Sequence, residues 1–174
     1  PSTLTRIGAN NFNGAAVASI TIPANVTEIG EGAFKSADYI INFETGSKLT
    51  TIGAEAFQST GFESIDLPDS VTTIGQYAFA LSDITSIDLP SGLETIGKNA
   101  FQQAPLTSIE IPASVVSIGT GAFTNCSSLT SLTFEDGSQL ETIGDSSFYN
   151  TKITSLIIPD GVTTIEDKAF KYCY

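Results

Sequence analysis

The sequence of 174 residues predicts a β-rich repeat solenoid, with two short strands and a short helical or 3-10 turn in each 22 to 25 residue repeat. Three observations predict this fold. A six-residue motif recurs at nearly constant spacing, its phenylalanine keeps one register, and short alternating segments separate its copies. A unit of this length buries its apolar side only against its neighbours, so we expect one continuous stack of repeats.

The motif reads Ile-Gly-x-x-Ala-Phe, with some degenerate copies. Its isoleucine stands at Ile7, Ile29, Ile52, Ile74, Ile96, Ile118, Ile143 and Ile165. Its phenylalanine keeps the same register in every copy, at Phe12, Phe34, Phe57, Phe79, Phe101, Phe123, Phe148 and Phe170. Eight rings in one register predict a single stacked column in the core.

Segments in which apolar and polar residues alternate lie between the motifs and predict the first strand of each repeat. They are residues 19–22, 64–67, 86–89, 108–111 and 155–158. A proline follows each of them, and because proline has no N–H to give to a ladder, we expect it to end the strand and begin a turn. Two repeats, at residues 43–49 and 134–140, lack this proline and carry two extra residues, which we expect in a surface loop.

The second strand of each repeat is predicted just before the motif. Its apolar residue stands three positions before the motif isoleucine, at Val26, Leu49, Val71, Leu93, Val115, Leu140 and Val162. The Ile-Gly pair then predicts a tight turn, and the Ala-Phe pair that follows predicts the short helical or 3-10 turn.

These residues resemble the BspA-like leucine-rich repeat family of bacterial cell-surface proteins, whose repeat reads L-x-x-I-x-I-P-x-x-V-x-x-I-G-x-x-A-F-x-x-C-x-x. The resemblance covers the entire chain and implies a leucine-rich repeat fold. Asp38 departs from the pattern, because apolar residues such as Phe62 and Ile84 hold its place in other repeats. This misfit puts the packing between the second and third repeats in question.

We assign residues 1–174 to a single leucine-rich repeat solenoid of about eight repeats. Pro1 already takes the place of the turn proline, and Cys173 and Tyr174 follow directly after the last motif turn. Terminal repeats of a solenoid normally carry a polar capping sequence. We find none at either end, so we expect an uncapped array that is a fragment of a longer protein.

Composition argues against several classes of function. There are 19 Asp and Glu residues against 7 Lys and Arg, and this net charge of -12 repels nucleic acid and anionic lipid. We therefore predict no nucleic-acid partner and no direct membrane contact by this segment. The sequence has no histidine, which is the usual general base and the commonest metal ligand. We predict no enzymatic activity, no catalytic residue, no cofactor and no metal.

The two cysteines, Cys126 and Cys173, each follow a motif phenylalanine by three residues. An even count of cysteines invites a disulfide. However, equivalent positions two coils apart are separated by about 9 to 10 Å, at about 4.8 Å per layer of strands. This distance exceeds the ~7 Å limit between the Cα atoms of a disulfide. We predict two free thiols, with Cys126 buried and Cys173 more accessible.

The outward residues of the first strands define what we call the candidate face: Thr21, Asn42, Asp66, Asp88, Glu110 and Thr133, with Ile157 continuing the series. Its three successive carboxylates are predicted on neighbouring strands about 4.8 Å apart. Such a face can serve as a docking surface for a basic protein segment or as a weak site for a hard cation such as calcium. It can also be a solvated surface without a ligand.

Two functions stay open. The resemblance implies a non-enzymatic protein-binding or adhesion module of a bacterial cell-surface protein, binding a host or bacterial surface protein, and located at the cell surface or secreted. The alternative is a passive structural spacer or stalk in a larger surface protein. Varied side chains favour binding, because the candidate face changes along the array while the column before the motif isoleucine is nearly uniform.

Overall fold

The computed structural model describes residues 2–174 and is a parallel β-solenoid in which each repeat forms one coil. Eight two-residue strands form what we call the main sheet: β1 (Arg6–Ile7), β3 (Glu28–Ile29), β5 (Thr51–Ile52), β6 (Thr73–Ile74), β7 (Thr95–Ile96), β9 (Ser117–Ile118), β11 (Thr142–Ile143) and β12 (Thr164–Ile165). Four longer strands form two parallel pairs: β2 (Ser19–Ile22) with β4 (Ile40–Phe43), and β8 (Ser108–Ile111) with β10 (Ser131–Phe134). The predicted repeat solenoid is confirmed.

The main sheet contains every predicted second strand, and each motif isoleucine pairs with the motif isoleucine of the next coil. The glycine that follows is required because adjoining backbones approach closely. A Cβ on Gly75 would lie 2.7 Å from the carbonyl carbon of Gly53, nearer than side-chain carbons normally come to backbone. Any larger residue in an inner coil would therefore push two coils apart.

The motif phenylalanines form one column, as predicted, and we call it the Phe stack. Neighbouring ring centroids lie between 5.1 and 5.5 Å apart, with nearly parallel planes. The six inner rings, from Phe34 to Phe148, are fully buried. The outermost rings, Phe12 and Phe170, are half-buried.

The segment around each motif phenylalanine is a turn, and residues 2–174 contain no helix, which corrects the predicted helical or 3-10 turn. Each such turn holds two residues of positive φ four positions apart, for example Tyr77 (55°) and Leu81 (58°). Left-handed residues interrupt a right-handed helix. The Phe79 N–H instead donates to the Ala100 carbonyl of the next coil at 2.7 Å. Hydrogen bonds to the next coil thus alternate with local bonds between residues three apart, such as that from the Ala80 N–H to the Tyr77 carbonyl at 3.1 Å.

The first-strand segments, at residues 19–22, 40–43, 64–67, 86–89, 108–111, 131–134 and 155–158, pair less completely than the sequence predicts. The strands predicted at 19–22 and 108–111 are confirmed, whereas those predicted at 64–67, 86–89 and 155–158 are wrong. Only two of the six neighbouring pairs of segments form ladders.

Proline explains which ladders are missing. Each ladder that forms is closed by a glutamate N–H: Glu44 donates to Ile22 and Glu135 donates to Ile111, both at 3.0 Å. In every coil that fails to pair with the preceding one, a proline holds the glutamate position: Pro68, Pro90, Pro112 and Pro159. Proline has no N–H to donate. Its effect therefore reaches the preceding coil as well as the end of its own strand.

The misfit at Asp38 leaves the packing between the second and third repeats intact. The Asp38 side chain is exposed, while Tyr39 beside it is only 6% exposed and belongs to the core. The Tyr39 hydroxyl donates to the Phe12 carbonyl at 3.1 Å, and burial raises the pKa of this phenol. Tyr39 fills the apolar place because it follows Phe34 by five residues, the same spacing at which Phe62 and Ile84 follow their own motif phenylalanines.

Candidate binding face

The structure places all members of the candidate face, Thr21, Asn42, Asp66, Asp88, Glu110 and Thr133, on the exposed surface. The neighbouring isoleucines of the central segments, Ile65, Ile87 and Ile109, are at most 8% exposed. This alternation turns the polar residues outward, as the sequence predicts. Ile157, which continues the series, is 89% exposed.

Strand pairing joins only part of the candidate face. Thr21 lies opposite Asn42, and Glu110 lies opposite Thr133. Asp66 and Asp88 lie outside any strand, because the prolines that follow their segments prevent pairing with the preceding coil. The prediction that three carboxylates stand on neighbouring paired strands is therefore wrong, and no ladder fixes the spacing between them.

Negative charge is concentrated in the middle of the array. Residues 50–140 contain 10 acidic residues and one basic residue, Lys98, so this stretch carries -9 of the net charge of -12. The two salt bridges among residues 2–174, Arg6–Glu28 and Lys35–Glu55, involve no member of the candidate face. The carboxylates of Asp66, Asp88 and Glu110 are therefore available to an external cation or hydrogen-bond donor.

A shallow depression of about 430 Å³ lies in the middle of the candidate face and is lined by Asp88, Glu110 and Glu135, among others. Glu135 is engaged, since its carboxylate accepts a hydrogen bond from the Ala113 N–H at 2.9 Å. The Asp88 and Glu110 carboxylates accept no hydrogen bond from residues 2–174. Carboxylates in this state can bind the guanidinium or ammonium group of a partner.

Within the described part of the chain, no group of three or more Asp, Glu, His or Cys side chains is placed to hold a metal ion. The same residues also contain no helix that is long and apolar enough to cross a membrane.

Both cysteines are free, as the stacking argument predicts. The buried Cys126 thiol donates to the Phe101 carbonyl at 3.1 Å, and burial raises the pKa of this thiol to about 12. Cys173 is half-buried and lies 3.3 Å from the Phe148 carbonyl. Cys126 is therefore held as an unreactive thiol inside the coil, because the thiolate is the reactive form.

A second feature of this side of the solenoid was not predicted from the sequence. A crevice of about 760 Å³ separates β10 from residues 155–158. The available signal was Pro159, which removes the N–H that would close this coil onto β10, together with the apolar Ile157 at an outward position.

Comparison with known families gives one match. A family model described as BspA type leucine-rich repeat region matches residues 1–82 and 50–174, in six copies. The matched description is that of a repeat region and names no catalytic activity. No curated protein sequence matches the chain.

Several solved structures resemble this chain. A leucine-rich repeat protein from Bacteroides ovatus is 27% identical with a TM-score of 0.52, over 93% of this chain and 49% of that protein. A leucine-rich cell surface protein from Faecalibacterium prausnitzii is 19% identical with a TM-score of 0.56, over 98% of this chain and 75% of that protein. The pneumococcal vaccine antigen PcpA is 25% identical with a TM-score of 0.43, over 98% of this chain and 34% of that antigen. The chain thus spans about a third of PcpA and about half of the Bacteroides protein.

Proposed function

Because this chain belongs to the BspA-type leucine-rich repeat family, we propose that it is a non-enzymatic protein-binding or adhesion module of a bacterial cell-surface protein. The partner is a host or bacterial surface protein that presents a basic segment to the candidate face. The location at the cell surface agrees with the description of the Faecalibacterium protein as a cell surface protein.

One observation carries the proposal: Asp66, Asp88 and Glu110 are exposed, lie on consecutive coils and form no ion pair with residues 2–174. Surface charges of one sign raise the association rate with partners of the opposite sign. The shallow depression beside Asp88 and Glu110 supports the same conclusion, because it lets a partner side chain approach both carboxylates.

The alternative function is a passive structural spacer or stalk in a larger surface protein. The main sheet favours it, because the column before the motif isoleucine is nearly uniform, with threonine in five of the coils. A spacer needs regular stacking and no partner, so the two functions differ in whether the candidate face binds anything.

The deciding experiment measures binding of basic extracellular-matrix proteins to wild type and to Asp88→Asn at two ionic strengths. We expect Asp88→Asn to bind more weakly, mainly through slower association, and to show a reduced salt dependence. Glu31→Gln serves as the matched control, because Glu31 is exposed but lies outside residues 50–140. Equal binding by both proteins would exclude Asp88 and the candidate face as the binding site, and no binding at micromolar concentration would favour the spacer.

A further inference from the structure

The crevice between β10 and residues 155–158 is held open while the coils on both sides of it stay joined. Before it, the Lys152 N–H donates to the Leu129 carbonyl, and after it the Thr163 N–H donates to the Glu141 carbonyl, both at 2.9 Å. Between these bonds, none of the described residues 131–140 shares a backbone hydrogen bond with residues 153–162. The crevice is therefore a local separation between two coils that are hydrogen-bonded to each other before it and after it.

One wall of the crevice is an unpaired strand edge. β10 pairs with β8 on one side and with no strand on the other. A free edge presents N–H and C=O groups in the pattern of a sheet and is a template for a further strand. Partner proteins exploit such edges by adding an extended segment, with main-chain hydrogen bonds supplying much of the affinity.

The chain's own next segment does not fill this edge. In the preceding coil the Glu135 N–H closes the ladder onto Ile111, and Pro159 holds the same position in the last coil. Proline cannot make this bond, so residues 155–158 stay away from β10. A partner strand does not have this restriction.

The side chains around the crevice indicate what kind of strand fits. Phe134 and Leu156 are half-buried, and Ile157 is 89% exposed, so apolar surface lies open to solvent on this side of the coil. Asp136 and Asp160 line the far end, and both are exposed without a salt bridge among residues 2–174. An occupant with alternating apolar residues followed by a lysine or arginine complements both features.

We infer that this crevice binds an extended segment of a partner protein, which adds to β10 as a further strand, inserts apolar side chains beside Leu156 and Ile157, and places a basic residue near Asp136 and Asp160. This inference rests on the proposed function, that the chain is a protein-binding module, and gives the partner segment a conformation. It uses a different part of the surface from Asp66 and Asp88.

The probe is a synthetic peptide with the sequence of residues 130–134 followed by two lysines. This sequence is suitable because β10 itself pairs with its neighbour, and because recognition through the main chain depends weakly on sequence. We expect saturable binding, with nuclear magnetic resonance shifts centred on residues 131–134. The same peptide with alternate backbone nitrogens methylated keeps its side chains but loses the N–H donors at those positions. It should bind at least about tenfold more weakly.

Pro159→Ala tests the cause of the crevice. It restores the missing N–H, so residues 155–158 can pair with β10, and we expect peptide affinity to fall several-fold while the protein stays folded. Pro90→Ala is the matched control, because it makes the same change two coils away from β10 and should leave affinity unchanged. Circular dichroism on both variants checks that they are folded.

The outcomes separate this inference from the proposed function. Three results would overturn the strand-addition inference: equal binding by the methylated peptide, resonance shifts centred away from residues 131–134, or no binding at about 1 mM peptide. A Kd above about 1 mM is too weak for useful recognition. Asp88→Asn should leave peptide binding unchanged. If Asp88→Asn lowers matrix-protein binding and the peptide does not bind, the candidate face is supported as a binding site and the crevice is not. If the peptide binds but matrix proteins do not, only the crevice is supported as a binding site.

Discussion

The two long sides of the solenoid are built from the same repeats but differ in continuity. On the main-sheet side, all eight strands pair in register, and the Phe stack runs unbroken through the core. On the first-strand side, two ladders form and four are missing. One repeat unit thus supports one regular side and one interrupted side.

The difference comes from a single backbone group in each coil. Where a glutamate follows the first-strand segment, its N–H completes the ladder to the preceding coil, and where a proline follows, the ladder is absent. Stability can therefore depend mainly on the main sheet and the Phe stack. The first-strand side is then free to vary in sequence, which is what a binding surface requires.

The largest effect we predict is the loss of a ring from the Phe stack. Phe79→Ala should lower the free energy of unfolding by about 3 to 5 kcal/mol, because the ring is fully buried between two neighbours. Phe12→Ala, at the half-buried end of the stack, should cost clearly less. Chemical denaturation measures both, and a loss below about 1 kcal/mol for Phe79→Ala would contradict its place in the core.

The next effect concerns the contact between coil backbones. Gly75→Ala should cost about 1 to 3 kcal/mol, since its Cβ would press on Gly53 and force the coils apart. Gly8→Ala provides the comparison, because its Cβ would meet only the end of the Asn11 side chain, which can move. Similar melting temperatures for the two variants would show that the close approach of the backbones is not the reason why the motif requires glycine.

A smaller effect is expected on the first-strand side. Glu135→Pro should cost about 1 to 2 kcal/mol, because it removes the N–H bond to Ile111 and the carboxylate bond to Ala113. Glu135→Gln keeps the backbone bond and should cost less. Hydrogen exchange supplies the readout: amides of β8 and β10 should exchange faster in Glu135→Pro, while main-sheet amides stay protected. Loss of protection in both places would mean that the two sides are not independent.

The smallest effect is a gain in stability. The Ser147 hydroxyl is buried in the motif alanine column without a hydrogen-bond partner among residues 2–174, so Ser147→Ala should stabilise the protein by about 1 kcal/mol. Ser82→Ala should do the opposite by a similar amount, because the Ser82 hydroxyl donates to the Phe79 carbonyl at 2.7 Å. Calorimetry on the two variants compares a hydroxyl that has a hydrogen-bond partner with one that has none. The two changes in the free energy of unfolding are expected to have opposite signs.

Residues that repeat in register were predictable from the sequence. The spacing of Phe79 and its equivalents identified the core, and the position of Cys126 three residues after Phe123 predicted a free, buried thiol. The outward placement of Asp88 followed from simple alternation. In each case, one local pattern determines where the side chain points.

Features that depend on two coils at once were not predictable. Pro90 is expected from the sequence to end its own strand. Predicting its effect on the preceding coil requires knowing which carbonyl an N–H at this position would bind. The left-handed conformations of Tyr77 and Leu81 had no local signal, since neither residue is glycine or asparagine. Tyr39 was also missed, because the segment between Phe34 and the next strand is one residue short, so that counting back from the strand gives Asp38 as the apolar place.

The hydrogen bonds of the turns have a consequence for the electrostatics of that side of the solenoid. The Phe12 N–H donates to the Ala33 carbonyl, the Phe34 N–H of that same peptide unit donates to Ala56, and the series continues to Phe148 and Ala169. These amides are aligned head to tail, all with their N–H toward the following coil, and aligned peptide dipoles add. The turn side therefore carries a macrodipole along the solenoid axis, with its positive end at the last coil. In an α-helix the positive end lies at the N-terminus, so here its sense relative to the chain is reversed.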